Sequence, residues 1–594
     1  MKTASPTTEA RVLRVAAIAV GLMIALGASY VLYRAIVLRI DYWDSYLYMN
    51  NTRRMLGDVD ARYTLDKPPL LPALYLPVVM YIRQFPAQVV QYIVPHLYAF
   101  ALSMLSLGAI WLAFRRALPT LLASAGVVLL MGNRVFAHYA AFSLTDICAV
   151  GLIGLVFAAW FVARERRSWG WFTLVGLLIG AAVSTRYQNA TLPFGIAAAE
   201  LLLSVRLRRI PDRRALGFVY ASVLGAIVFL FIHQQAFTAI DREFSVRSML
   251  EALEFAGAGA TRQYEREAPW QYFRMLPIAM SWIVIGLAAI GFVVALVQRR
   301  DHDALFAAWL LIIAGGIFRV DHNEIRYLYP AFPPLVYFAM RAVEAAARWR
   351  TIRSWLATRS GAWAGLAIGL GALVLGAWPG VAQAIRDQHP FFVSDQFRAG
   401  AAWILERREA RPNSRVLWYG RPHTLFPPNP MQFEDDEYFN IFHHYAHILE
   451  FFMGGPQLEE RRWDGRSPEQ IAIGDRGRPL IMFYGTPDDL HAWEVEVVDE
   501  TSRPMHIYAT IPRVLTRTAE GFGDRRGLVL RQTDRGLVSE VDARAAISEP
   551  GRPPTAFQML RRGQRVSLTV GEEVERLDYL ELEETEVGVN GDHR

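Results

Sequence analysis

The stretch "VAAIAVGLMIALGASYVLYRAIV" (residues 15–37) is followed, after three residues, by "DYWDSYLYMNNTRRMLG" (41–57). The first is long and apolar enough to cross a bilayer, which takes about 20 largely apolar residues. The second is polar and aromatic. The same alternation recurs along the chain, with apolar segments at 15–37, 88–113, 118–137, 147–163, 170–185, 190–205, 216–236, 275–297, 304–319, 328–345 and 361–379. They predict an α-helical polytopic membrane protein with about eleven transmembrane helices. A cleaved signal peptide would have an apolar core of about 7–15 residues, so the first block reads as a retained span. The shorter, proline-punctuated run from Leu70 to Tyr81 reads as an interfacial helix.

Charge supports this count. Lys2, Arg11 and Arg14, Arg115 and Arg116, Arg164 to Arg167, Arg206 to Arg214, Arg299 and Arg300, and Arg341 to Arg353 fall in alternate connections. Arginine-rich loops mark the cytoplasmic side, so the N-terminus is expected in the cytoplasm. Loops 38–87, 138–146, 186–189, 237–274 and 320–327, with everything after Gly380, are expected outside. The frequent Ala and Arg suggest a high-GC bacterium, for which these spans are expected in the inner membrane. The net charge of +6 over 594 residues is spread through these clusters, which argues against nucleic acid as a partner. Cys148 is the single cysteine, so a disulfide and a thiolate metal site are both excluded.

Residues 1–380 therefore read as a membrane domain and 381–594 as a soluble periplasmic α/β domain. "FRAGAAWILERREARPNSRVLWYG" (397–420) reads as an amphipathic helix, a turn and a buried strand, and "PLIMFYG" (479–485) as a second strand. "FHHYAHILEFF" (442–452) lacks the Glu beside its first His that a zinc protease needs, and "FEDDEYF" (433–439) lacks calcium-loop spacing.

Chemistry is expected on the outer face. Asp44 and Tyr48 lie four apart and share one side of a helix, whose apolar residues suit it to the membrane surface. Read alone, Asp41 and Asp44 are equally well helix caps. Lys67 precedes two prolines and is placed to meet a lipid phosphate, or to snorkel. In "HYAAFSLTDICAV", Ser143, Thr145 and Asp146 read as helix-capping residues, with Asp146 available to a site. "DHNEIRYLYPAFPP" puts His322, Glu324, Arg326 and Tyr327 before a span, and Arg186 in "STRYQNATLP" is another outer cation. Asn189 heads a glycosylation sequon expected to be unused.

The set Asp-x-x-x-Tyr, Arg53, Lys67-Pro68-Pro69, Asp146 and His322-x-Glu324-x-Arg326-Tyr327 resembles the GT-C membrane glycosyltransferases, in particular the protein O-mannosyltransferase and lipid A aminoarabinose transferase families. Those enzymes commonly carry Asp-Glu where this chain has Asp44-Ser45. The resemblance implies a polyprenyl-phosphate-linked sugar as donor, undecaprenyl-phosphate in a bacterium, and inverting transfer to a cell-envelope lipid, glycan or protein. It implies Asp44 and Asp146 as catalytic carboxylates and Lys67, Arg326 and Arg186 as donor-phosphate ligands, with Tyr48, His322, Glu324 and Tyr327 in support. A divalent cation on Asp66, His322 or Asp146 is compatible with it. Two other classes stay open: a GT-C-fold binding or scaffold protein, which the missing second carboxylate favours, and a lipid-linked sugar transporter, which the scarcity of mid-span charge disfavours. On this reading, Asp44→Asn leaves donor binding near normal.

Overall fold

The computed structural model describes residues 6–386 apart from 38–42, 60, 62, 65–66, 86–87, 208–212, 243, 246, 248–269 and 318–324; beyond 386 it describes Leu405 and a set of strands. The chain forms two compact units, 1–57 with 63–390 and 58–62 with 391–594.

The first unit is helical. Its long helices are Pro6–Val37, Gln88–Ala117, Thr120–Met131, Thr145–Arg166, Trp169–Thr185, Leu192–Leu207, Arg213–Ala239, Trp282–Gln298, Asp301–Ile317, Phe332–Arg348 and Arg359–Arg386. Five of these are long and apolar enough to cross a membrane by themselves, and a bent pair makes a sixth. The protein is therefore a multi-pass membrane protein. Leu22, Leu26, Phe231 and Val297 stand exposed on these helices, as lipid-facing positions require. Between Trp282–Gln298 and Phe332–Arg348 the approach is close, because a Cβ on Gly291 would run into the Phe338 carbonyl.

Two expected spans are broken. Segment 118–137 ends its first helix at Gly132, and Asn133 starts a new one by accepting from the Val135 amide at 2.8 Å, giving Arg134–Tyr139. Segment 275–297 bends by 111° between Tyr272–Ala279 and Trp282–Gln298. Pro277 weakens the first piece and Ser281 caps the second. Trp270, Phe273 and Trp282 are exposed around this bend, as in an aromatic belt. Segment 328–345 begins as the 3-10 turn Ile325–Ala331. Pro330, Pro333 and Pro334 donate no amide there, so the regular ladder starts late.

The helix Trp43–Met55, expected to lie with one face on the membrane surface, is enclosed by protein. Asp44 through Arg53 are all buried. Part of its polar side is satisfied by the rest of the same loop. Asn51 donates to the Thr64 carbonyl at 2.9 Å and accepts from the Thr64 amide at 2.7 Å, and the Thr52 hydroxyl reaches the Pro72 carbonyl at 2.9 Å. Hydrogen bonding of this kind removes the cost of enclosing amides and hydroxyls. The run after Lys67 forms two short helices, Leu70–Leu74 and Leu76–Gln84, with Tyr75 buried and Met80 and Tyr81 exposed.

At the end of the bundle away from that loop, a buried charge network joins three helices. Arg341, fully buried, donates from Nε to Asp303 at 2.9 Å and from its fork to Gln298 at 2.8 Å. The Tyr337 hydroxyl donates to Asp303 at 2.6 Å, and Arg300 pairs with Glu344 at 2.8 Å. Removing one partner of a buried set leaves the others uncompensated, at a cost of about 3–5 kcal/mol. Arg341→Met is accordingly expected to lower the thermal midpoint of the detergent-solubilised protein sharply, and an unchanged midpoint would show that the network carries no stability.

In the second unit, strands Val416–Gly420, Leu480–Tyr484, Leu490–Glu496 and Met505–Thr510 join Glu459–Arg462 in a five-stranded sheet. The first pairs in parallel with Glu459–Arg462 and with Leu480–Tyr484, and the remainder is antiparallel. A six-stranded antiparallel sheet follows, formed by strands between Thr516 and Glu581. The helix expected within 397–411, the histidines of 442–452 and the acidic run 433–439 lie outside the described residues, apart from Leu405.

Candidate active site

The connection after the first long helix folds so that Asp44, in the first turn of Trp43–Met55, meets two cations. Lys67 Nζ stands 3.1 Å from Oδ1, and the Arg326 guanidinium stands 2.7 Å from Oδ2. Asp44 is only 4% exposed and Arg326 only 5%. Desolvation at such a depth makes each ion pair stronger than a surface one. Lys67 is held by the rigid Pro68-Pro69 step, and Arg326 by the 3-10 turn that opens the Phe332–Arg348 helix.

A second pair lies beside the first. Arg186 follows the end of Trp169–Thr185 and pairs with Asp146 Oδ1. Its Nε donates to Gln188 at 2.6 Å. Asp146 sits in the first turn of Thr145–Arg166, where the helix dipole favours a carboxylate. The expected capping role does not hold for its neighbours. Leu144 is the N-cap and supplies no side-chain cap. The Thr145 hydroxyl instead meets the Tyr48 hydroxyl at 3.3 Å.

Two tyrosines connect the halves. The Tyr327 ring carries the guanidinium of Arg186 on one contact, 5.5 Å from its centroid, and that of Arg326 on another, at 5.6 Å. Tyr48 is buried, which raises its pKa; Lys67 and Arg186 act against that rise and Asp44 adds to it. Its hydroxyl thus stays protonated in the field of both carboxylate–cation pairs. Asp44, Lys67, Arg326, Asp146, Arg186, Tyr48 and Tyr327, remote in sequence, form one cluster.

His322, Glu324 and Asp66 lie outside the described residues. Among the described residues, Asp44 and Asp146 are each engaged by cations, and no group of three or more His, Cys, Asp or Glu side chains gathers. The Asn189 side-chain nitrogen is buried and donates to the Ala182 carbonyl at 2.9 Å, closing the preceding helix. Thr145 was visible in the sequence only as a helix-capping residue, and Gln188 had no signal there beyond its proximity to Arg186.

The fold is a helical multi-pass frame that holds paired carboxylates and cations in its loop cluster. Residues 66–233 match the family model of dolichyl-phosphate-mannose-protein mannosyltransferases, a region that holds Lys67, Asp146 and Arg186 but not Asp44 or Arg326. Two solved structures share the fold. The crystal structure of ArnT from Cupriavidus metallidurans bound to undecaprenyl phosphate is 15% identical, with 78% of this chain and 92% of that chain covered and a TM-score of 0.51. The oligosaccharyltransferase of Archaeoglobus fulgidus in its apo form is 11% identical, with 78% and 65% covered and a TM-score of 0.52. No curated protein matches by sequence.

Proposed function

We propose that the protein is an inverting glycosyltransferase that moves a sugar from a polyprenyl-phosphate carrier, undecaprenyl phosphate in a bacterium, to a cell-envelope acceptor at the periplasmic face of the inner membrane. The observation that carries this reading is the enclosure of Asp44 by Lys67 and Arg326. A lipid-linked sugar phosphate brings an anion to the headgroup level, where planar guanidinium and ammonium groups bind it by charge-assisted hydrogen bonds. That anion competes with Asp44 for the same two cations. Arrival of the donor therefore draws Lys67 and Arg326 onto its phosphate and leaves the Asp44 oxygens to the acceptor.

The step then follows. An acceptor hydroxyl attacks the anomeric carbon from the face opposite the phosphate, and its proton passes to Asp44 as general base. The bond from that carbon to the phosphate oxygen breaks, and the electron pair leaves with the polyprenyl phosphate, whose charge Lys67, Arg326 and Arg186 offset. An acceptor that is itself a phosphate needs no base, and Asp44 then orients it. Asp146, held by Arg186, faces the sugar as the second carboxylate.

The test is release of undecaprenyl phosphate from undecaprenyl-phosphate-linked hexoses and pentoses by the purified protein in vesicles supplied with bacterial envelope lipids. Turnover is expected. Firm binding of undecaprenyl phosphate with no turnover from any donor would favour the scaffold reading, which Ser45 at the usual place of a second carboxylate supports.

The same reading puts eleven spans in the membrane, the N-terminus in the cytoplasm and a soluble α/β domain after residue 380 in the periplasm. Reporter fusions after Arg166 should report a cytoplasmic location, and fusions after Asp44 or beyond residue 400 an external one. A cytoplasmic signal beyond residue 400 would overturn the span count.

A further inference from the structure

The segment that delivers Asp146 is pinned by side chains that the transfer reaction does not itself call for. The chain leaves its helix at Gly132 and turns through Arg134–Tyr139 before reaching Thr145–Arg166. Helix Arg359–Arg386 seizes this turn at its outer end. The Gly380 amide donates to the Gly132 carbonyl at 2.7 Å, and a Cβ on Gly380 would stand 2.6 Å from the Gly132 backbone, so no larger residue allows that approach. One helical turn further, Gln383 accepts from Arg134 Nε at 2.7 Å and meets His138 Nδ1 at 3.3 Å. From the first helix, Arg34 donates to the carbonyls of Ala137 and His138 at 2.9 and 3.0 Å. Ser103 donates to the Ala140 carbonyl at 2.7 Å.

These contacts reach Asp146 through a stiff connection. Residues 134–144 are all buried. The backbone bonds Ala140 to Phe136, Phe142 to Tyr139 and Leu144 to Phe142 leave little slack before the helix that begins at Thr145. Leu144 gives that helix no side-chain cap, so its start is located by the preceding turn instead. Arg34 is 4% exposed and Gln383 1%. A polar side chain enclosed so fully must spend its hydrogen bonds on specific partners, and the bonds just given all go to the turn before Asp146.

We propose that Arg34 and Gln383 are positioning residues that set the place of the Asp146 carboxylate opposite Arg186. The inference rests on the reading that Asp146 belongs to the transfer site. A group held about 1 Å out of place costs up to about a hundredfold in rate, without loss of ground-state binding.

The experiment compares Gln383→Leu, Gln383→Glu, Arg34→Lys and Asp146→Asn in vesicles. It measures turnover of whichever undecaprenyl-phosphate-linked hexose or pentose the wild type accepts, affinity for undecaprenyl phosphate, and the thermal midpoint. Gln383→Leu is expected to lower kcat by about 10–100-fold, with lipid affinity and midpoint near wild type. Gln383→Glu, which still accepts from Arg134, is expected to restore kcat. Should Gln383→Leu fail to fold, Arg34→Lys decides by the same readouts, because an ammonium keeps the charge but not the planar fork that serves two carbonyls. Wild-type kcat in the variant that folds would overturn the inference, as would a loss shared equally by lipid affinity and midpoint. An inactive Asp146→Asn beside a fully active Gln383→Leu removes this inference alone. A fully active Asp146→Asn removes Asp146 from the site and the underlying reading with it.

Discussion

Asp44→Asn is expected to cut sugar transfer by about 10²–10⁴-fold, the usual scale of a lost general base, while tightening the binding of undecaprenyl phosphate. The first effect follows from removal of the basic oxygen. The second follows from the contacts of Asp44 with Lys67 at 3.1 Å and Arg326 at 2.7 Å. Both cations are engaged by the carboxylate before the lipid arrives, so binding a phosphate requires breaking two desolvated ion pairs. Asparagine keeps the shape and hydrogen-bonding capacity but not the charge, and it releases both cations to the lipid. A gain of about tenfold in affinity, equivalent to about 1.4 kcal/mol, is the expected scale. The sequence alone suggests nearly unchanged binding, because an Asp-to-Asn change at an interface leaves no buried charge unpaired. Titration of wild type and Asp44→Asn with undecaprenyl phosphate in nanodiscs checks the sign. Equal or weaker binding by the variant would show that Lys67 and Arg326 do not pass from Asp44 to the phosphate.

Arg326→Ala should do the opposite to the lipid. A charge-assisted hydrogen bond at a desolvated site is worth about 1.5–3 kcal/mol, so affinity for undecaprenyl phosphate should fall by roughly 10–100-fold. The fold should survive, since Lys67 still neutralises Asp44 in the variant. Arg326→Lys should recover part of the affinity, because it restores the charge without the planar fork. The two predictions are coupled. In the Arg326→Ala background the gain from Asp44→Asn should shrink, since only Lys67 remains to be released. A double-mutant cycle in which the two effects simply add would mean that the residues act on the lipid independently.

The positions of most helices and of the motifs in the loops between them were legible in the sequence, because hydrophobic length acts locally along the chain. Lys67 and Arg326 were legible as cations beside apolar segments for the same reason. Their common partner was not legible. Residues 44, 67 and 326 come together only when the connection after the first long helix folds onto the turn before the Phe332–Arg348 helix. The same limit explains the burial of Trp43–Met55. Its composition suits a surface helix, and what encloses it is hydrogen bonding by Asn51 and Thr52 to residues 64 and 72.

The breaks at Gly132–Asn133 and at Met280–Ser281 mark the same division. Apolar length counts residues without registering a turn inside the block, so both segments read as continuous spans. Asn133 and Ser281 are visible in the sequence as residues able to cap a helix, yet which of many such residues restarts a helix depends on where the chain must turn back. By itself the sequence determined that the chain lies in a membrane and which loops hold carboxylates and cations, since both follow from local transfer free energies. Only the tertiary structure decided that Asp44 is held between Lys67 and Arg326, that Asp146 is held by Arg186, and that Arg34 and Gln383 grip the turn before it. Those pairings join residues 23 to 282 positions apart, and no local preference acts over such a separation.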